Sequence, residues 1–376
     1  MRLPLQIALP LVFSVLSAAC GGDGGPSAPV QRLVAVGRLE RGATVRLVAR
    51  DGPASDSLVS NIVLSPAAAG TIAGTSVTLL QAGTVSVTAT SVDGRTITTA
   101  LDVKLPPTVF FDAVVSGNRD IYSVSLDGGD AKRWTSSPGE ETHPSVAAGL
   151  LVFSSTRDGN GELYSLATAA GGAEKRLTTS GSNETQPALS AAGTSVVYTS
   201  DAGGLPRLYV APASLTGPSR LTAASFGFGG SIESDATWSA TGDRIAFMST
   251  VNGRANLFIT QSAAGSTPAE VNGSGSQVTD VEPTWSPDGN RIAFASTRSG
   301  GTQLFLLDLR TSAFRQVTTG AVPSGQPGWL PDGRLVFTRF DSAGSTLWWI
   351  DPEATDAPVE IPTVAKSPAH PVGARP

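Results

Sequence analysis

The strongest constraint on the fold of this chain is a spacing. Aromatic residues stand at Phe111, Phe153, Tyr198, Phe247, Phe294 and Phe337, and eleven residues after each comes a second: Tyr122, Tyr164, Tyr209, Phe258, Phe305 and Trp348. Successive units are offset by 42, 45, 49, 47 and 43 residues. A period of this length suits the four-stranded blade of a β-propeller and is too long for leucine-rich or ankyrin units. Within one period, DVEPTWSPDGNRIAFASTRSGGTQLFLLDLRTSAFRQVT (residues 280 to 318), the pattern predicts strands around EPTWS, RIAFAS, QLFLLDL and FRQVT. The middle two are almost wholly apolar, as strands covered on both faces must be.

The stretch PTWSPDGNRIAFASTR resembles the TolB-type six-bladed propeller family, and the resemblance spans residues 108–376. It is sharpest in the fourth and fifth units; the second reads PSVAAG at the turn, and the fourth has Ala236 where the others carry proline. The resemblance implies an all-β domain of six blades. The first unit starts abruptly at TVFFDAV and lacks the innermost strand of its successors. In the C-terminal SPAHPVGARP, AHPV aligns with THPS, TQPA, SDAT, VEPT and GQPG, so the tail is expected to complete the first blade and leave no open sheet edge.

A chain of 376 residues outgrows one core. Residues 30–105 alternate in short runs between glycine turns, which reads as a small β-sandwich, and AGTVSVTAT followed by a DG turn resembles bacterial Ig-like modules, which imply a spacer. Pro106 and Pro107 form a stiff joint. At the N-terminus, Arg2, an apolar run and small residues before Cys20 read as an export signal over residues 1–19. LSAAC resembles a lipobox, although the leucine stands four positions before the cysteine instead of three. That resemblance implies lipidation at Cys20, the chain's sole cysteine, with residues 20–29 as a flexible tether.

A formal net charge of −5 argues against a nucleic-acid binder, and four of the 26 basic residues are lysine, leaving arginine to supply fixed, bidentate pairing. Nucleophile elbow, Walker loop and HExxH signatures are missing, so no catalytic residue, metal or cofactor is assigned. Asp288 and Asp332 sit in Pro-Asp-Gly turns, where turn chemistry accounts for them. Each loop between second and third strands carries an arginine (Arg119, Arg157, Arg207, Arg254, Arg298, Arg339), and Glu141, Glu184, Glu233 and Asp280 open the innermost strands. Arginine-carboxylate pairs stitching neighbouring blades are the expectation.

The position before the innermost-strand proline should line the channel mouth once per blade, giving His370, His143, Gln186, Asp235, Glu282 and Gln326. Six-fold geometry would set His370 opposite Asp235 and His143 opposite Glu282, too far apart for tight zinc binding. Nearby carboxylates would raise the histidine pKa values. The loop AASFGFGGS presents Phe226 and Phe228 where no core requires them, a second candidate contact. Together these features point to an exported, lipid-anchored, monomeric binding or scaffold protein, periplasmic or at the cell surface, with a protein or glycan partner of the envelope. The alternatives are a metal-assisted lyase or hydrolase acting on polysaccharide, as some propellers resembling this one are, and a passive structural component.

Overall fold

A computed structural model describes residues 32–376 except 52–54, 116, 170–171, 228–229, 272–277, 364 and 375–376. Cys20 and the expected signal and tether lie outside the described residues, as does Phe228. The chain divides into two compact units, Met1–Pro106 and Pro107–Pro376. Strands dominate the described residues of both, and a short helical turn spans Ala67–Ala69.

In the first unit, Arg32–Val36, Thr44–Asp51, Ser76–Leu79 and Gly70–Ala73 form an antiparallel sheet in that spatial order, with Ser55–Ser57 added to Thr44–Asp51. Val59–Ser65, Gly83–Ser91 and Thr96–Val103 form a second sheet. Gly83–Ser91 shows why alternation reads as strand: Val85, Val87 and Ala89 are buried in a core shared with Leu47, Val77 and Leu79 of the first sheet, while Thr84, Ser86 and Thr88 point outward.

The second unit is all β and propeller-like, built of six four-stranded antiparallel sheets. Sheets two to six each run straight along the chain, beginning with the innermost strands Glu141–Ala147, Glu184–Leu189, Glu233–Trp238, Asp280–Trp285 and Ser324–Trp329. Sheet one takes its innermost strand from the tail: Lys366–Gly373 pairs antiparallel with Thr108–Val115, Ala369 opposite Asp112 and Val372 opposite Phe110. The sequence match between AHPV and the other innermost strands is therefore a strand pairing.

The eleven-residue spacing is a hairpin register. Phe111 faces Tyr122, Phe153 faces Tyr164, Tyr198 faces Tyr209, Phe247 faces Phe258, Phe294 faces Phe305 and Phe337 faces Trp348 across the central hairpin of each sheet. Cross-strand aromatic pairs contribute about 0.2–1 kcal/mol each over alanine pairs and fix the pairing register. Arginines from the hairpin loops cover the same pairs: Arg157 lies 4.2 Å from the Tyr164 ring, Arg298 5.1 Å from Phe305, and Arg339 4.3 Å from Trp348.

Each sheet shares a hydrophobic cluster with the next, and Leu330, Val336 and Leu347 of sheet six pack with Val109 and Phe111 of sheet one. The loop arginines stitch less between sheets than expected. Arg157 bridges Glu141 at 3.3 Å and Arg298 bridges Asp280 at 2.8 Å, each within one sheet; Arg207 and Arg220 of sheet three reach Glu233 of sheet four at 4.0 and 3.3 Å. Each acid is buried at the start of its strand. Phe226 also differs from expectation: it is half-buried, its ring edge-on to Phe258 at 5.3 Å and to Phe247 at 6.1 Å. Phe226 covers the aromatic pair of sheet four, so a core does require it.

Candidate functional site

The innermost strands share one irregularity. Pairing with the second strand slips between Thr142 and Ser145, Thr185 and Ala188, Ser234 and Thr237, Val281 and Thr284, Gly325 and Gly328, and Ala369 and Val372. Two residues of the inner strand oppose one of its partner, a β-bulge. The second of the two is proline in every sheet but the fourth, where it is Ala236. Proline has no N–H to give the ladder, so within a sheet it is confined to edge strands, strand starts and bulges, and these positions are both edge and bulge.

The first residue of each bulge is the predicted mouth residue, and it adopts a left-handed backbone every time: φ is 53° at His143, 52° at Gln186, 55° at Asp235, 55° at Glu282, 52° at Gln326 and 48° at His370. A non-glycine residue held there costs of order 1–3 kcal/mol, and such strain concentrates at functional positions. The bulge re-aims the six side chains, and all six line one cavity of about 220 Å³. Behind them the walls include Pro144, Pro187, Pro283, Pro327, Pro371 and the tryptophans Trp238 and Trp329.

The mouth residues make their contacts with neighbours around the rim. The Gln326 amide N–H donates to Glu282 Oε2 at 2.6 Å, and the His370 amide N–H donates to Gln326 Oε1 at 3.0 Å. Gln186 Nε2 donates to Asp235 Oδ1 at 2.6 Å, and the rings of His143 and His370 lie 3.8 Å apart. Adjacent inner strands run close enough that a side chain meets the next strand before it can span the channel.

Asp112, on the second strand of sheet one, went unnoticed in the sequence and anchors one side of the mouth. It is fully buried and accepts from Arg119 Nη1 at 2.5 Å, the His143 amide at 3.1 Å and His370 Nδ1 at 2.7 Å. The equivalent positions hold Ser154, Thr199, Met248, Ala295 and Thr338, so a lone carboxylate in an uncharged column was the available signal. Thr199 plays the same part in sheet three, donating to Gln186 Oε1 at 3.1 Å.

Electrostatics divide the rim. Burial drives Asp235 and Glu282 above the ordinary carboxylate range, and the charge of Asp235 adds to the effect at Glu282. Burial alone would do the same to Asp112, but the hydrogen bond and charge of His370 outweigh it and hold Asp112 low. His143 is lowered to about 3 by burial first and by the charge of His370 second, which corrects the expectation that carboxylates would raise it. Its Nδ1 is sealed from solvent with no hydrogen-bond partner. Among the described residues, no three His, Cys, Asp or Glu side chains converge as metal ligands. The turn aspartates act as read: Asp288 accepts the Asn290 amide at 3.1 Å and Asp332 the Arg334 amide at 3.1 Å.

Comparison with known proteins agrees with this geometry. The model of the TolB beta propeller domain matches residues 147–268 and 234–351, together more than half of the chain. The chain belongs to the TolB β-propeller domain family. Among solved structures it is similar to TolB from Acinetobacter baumannii, with a TM-score of 0.64 and 17% identity over 78% of this chain and 80% of that one. Putative TolB from Agrobacterium tumefaciens follows at a TM-score of 0.55 and 16% identity, covering 68% of this chain and 88% of that one. Hydrazine synthase of Kuenenia stuttgartiensis scores 0.57 at 13% identity over 71% of this chain and 46% of its own. Likeness at these identities shows the fold, and a fold shared with an enzyme assigns no chemistry here. No curated protein matches the chain. Among the described residues no helix is long and apolar enough to cross a membrane.

Proposed function

We propose that the protein is an exported binding protein of a bacterial cell envelope, anchored by lipid on Cys20. Residues 108–376 form a six-bladed ring whose channel mouth engages a protein or glycan partner, and residues 30–105 form an Ig-like spacer that holds the ring off the membrane, the whole acting as a monomer without cofactor. The observation that carries the reading is the convergence of six strained, non-glycine residues on one polar cavity. Strain repeated at one level of six sheets and directed into a single opening is what a recognition site maintains against its cost. Membership of the TolB propeller family supports a binding role over a catalytic one.

The test is a crosslinking capture from envelope extracts with the full mature chain as bait. A partner held by the mouth is enriched by the wild type and lost from the double variant His143→Gln, Glu282→Gln at unchanged melting temperature. Equal capture by both places the binding surface elsewhere.

A further inference from the structure

The mouth joins two chemistries at adjacent positions of each inner strand. The bulge residues form a polar rim, and the residues that follow them, Pro144, Pro187, Pro283, Pro327 and Pro371 with Ala236, form an apolar collar on the same cavity. The rim is acidic on one side, where Asp235 and Glu282 are neighbours. A ligand that fits both layers is an apolar stem ending in a small cation.

Free acceptors narrow the choice. Asp235 Oδ1 takes Gln186 Nε2, Oδ2 takes the Ser234 hydroxyl at 3.1 Å, and the Glu282 amide donates to the same carboxylate. Glu282 uses Oε2 for the Gln326 amide, leaving Oε1 available at the cavity. A divalent ion such as calcium wants six to eight oxygens, most of which are committed here. An ammonium group needs only two or three acceptors for its three donors.

We propose that this cavity receives a primary alkylammonium group, a lysine side chain of the partner, with its methylene stem in the proline collar and its head against Glu282 Oε1, beside the Asp235 carboxylate. The inference rests on the mouth being the binding site and names what enters it. A bound cation favours the ionised carboxylates, so affinity should strengthen as pH rises through the elevated range in which Asp235 and Glu282 titrate. The other titratable or charged groups facing this rim are Asp112, Arg119, His143 and His370; the Arg119 guanidinium is already paired with Asp112.

Trp238 and Trp329 line the cavity and supply an intrinsic fluorescence readout. The mature full chain is titrated with N-acetyl-lysine methylamide, its Nε-acetylated form, 1,5-diaminopentane and calcium chloride, by fluorescence and calorimetry. Saturable binding of the lysine amide, weaker by roughly tenfold or more for the acetylated form and for Glu282→Gln, is the expected result. Asp235→Asn, which keeps the shape of the side chain, should weaken it likewise if Glu282→Gln perturbs folding. No saturable binding of the lysine amide, equal binding of the acetylated form, or calcium binding that the lysine amide cannot displace overturns the inference. Tighter binding of 1,5-diaminopentane than of the lysine amide overturns the assignment to a protein partner. If the double variant loses its captured partner while the lysine amide fails to compete for it, this inference falls and the binding reading stands. If the lysine amide binds while capture is indifferent to the mouth, the reverse holds.

Discussion

His370 Nδ1 lies 2.7 Å from Asp112 Oδ2, so a residue of the C-terminal tail meets a carboxylate that has no solvent exposure. Arg119 ties the same point from the other side, donating to Asp112 Oδ1 at 2.5 Å and to the Ser367 carbonyl at 3.1 Å. Asp112 is thus a latch between the first sheet and the strand that completes it. Asp112→Ala would take the shared acceptor from the His143 amide and His370 Nδ1 and leave Arg119 only backbone carbonyls, and the expected loss is about 3–5 kcal/mol, the scale of breaking a buried pair. Urea unfolding measures it. A loss below about 1 kcal/mol, the worth of one ordinary hydrogen bond, would show that the tail is held by its backbone pairing alone.

Much of this arrangement was legible before any coordinates. Aromatic spacing announced the hairpin register because side chains facing across a strand pair must keep step, and the AHPV match announced the tail pairing because an innermost strand needs its bulge proline. Two kinds of feature stayed hidden. Asp112 lies on a second strand, outside the repeated motif, and it becomes a mouth residue only when a tail about 260 residues away docks beside it. The direction of the six mouth side chains depends on a left-handed backbone that a proline-containing motif does not advertise, since φ at the preceding residue is set by the bulge and not by residue type. Phe226 was misjudged because glycine neighbours suggested exposure, whereas the aromatic pair Phe247 and Phe258 offered it a cover site.

His143 gives the acid side of the stability profile a definite shape. Its folded pKa of about 3 lies below the unfolded value of 6.5. The unfolded chain therefore binds the proton first as pH falls, and stability is full above about pH 6.5 and declines toward pH 3. Asp112 adds loss in the same direction at lower pH, because a carboxyl held low contributes above its unfolded value and ceases to as it protonates. Asp235 and Glu282, held high, act oppositely: their ionisation in the folded state weighs against stability as pH rises. His143→Gln should flatten the decline between pH 6.5 and 3 relative to wild type, and glutamine is already the rim residue of sheets three and six. Unfolding free energies of the two proteins at half-unit pH steps decide the matter; parallel curves would mean that His143 protonates freely in the folded chain.

Membrane attachment under the proposed function has one element, the lipid on Cys20. Cys20→Ser should therefore move the protein from the membrane fraction to the soluble fraction, since a covalent anchor is the only hydrophobic insertion the reading provides. Fractionation with mass spectrometry of the N-terminal peptide checks both cleavage and acylation. Membrane retention of the cleaved serine variant would sink the anchor.

Gly328 tests the docking of the tail strand from the opposite side. It stands on the innermost strand of sheet six, two residues after Gln326, and a Cβ built there would lie 2.3 Å from the Pro371 carbonyl oxygen of the tail. No real Cβ tolerates that approach, and the obstacle is backbone, which cannot rotate aside. The conflict is with space alone, because Gly328 is not among the residues with a left-handed backbone. Gly328→Ala must push the tail strand away from sheet six, lengthening the bond from the His370 amide to Gln326 Oε1 and with it the contact to Asp112. Overpacking of this kind costs about 1–3 kcal/mol. Removing residues 366–376 sets the limit of the effect, since it takes the strand away and leaves Thr108–Val115 as an open edge. The alanine variant should fall between wild type and truncation in melting temperature, and amide exchange should rise in Lys366–Gly373 and Thr108–Val115 before it rises elsewhere. Exchange that stays at wild-type rates in both strands would mean that the tail packs against sheet six in some other register.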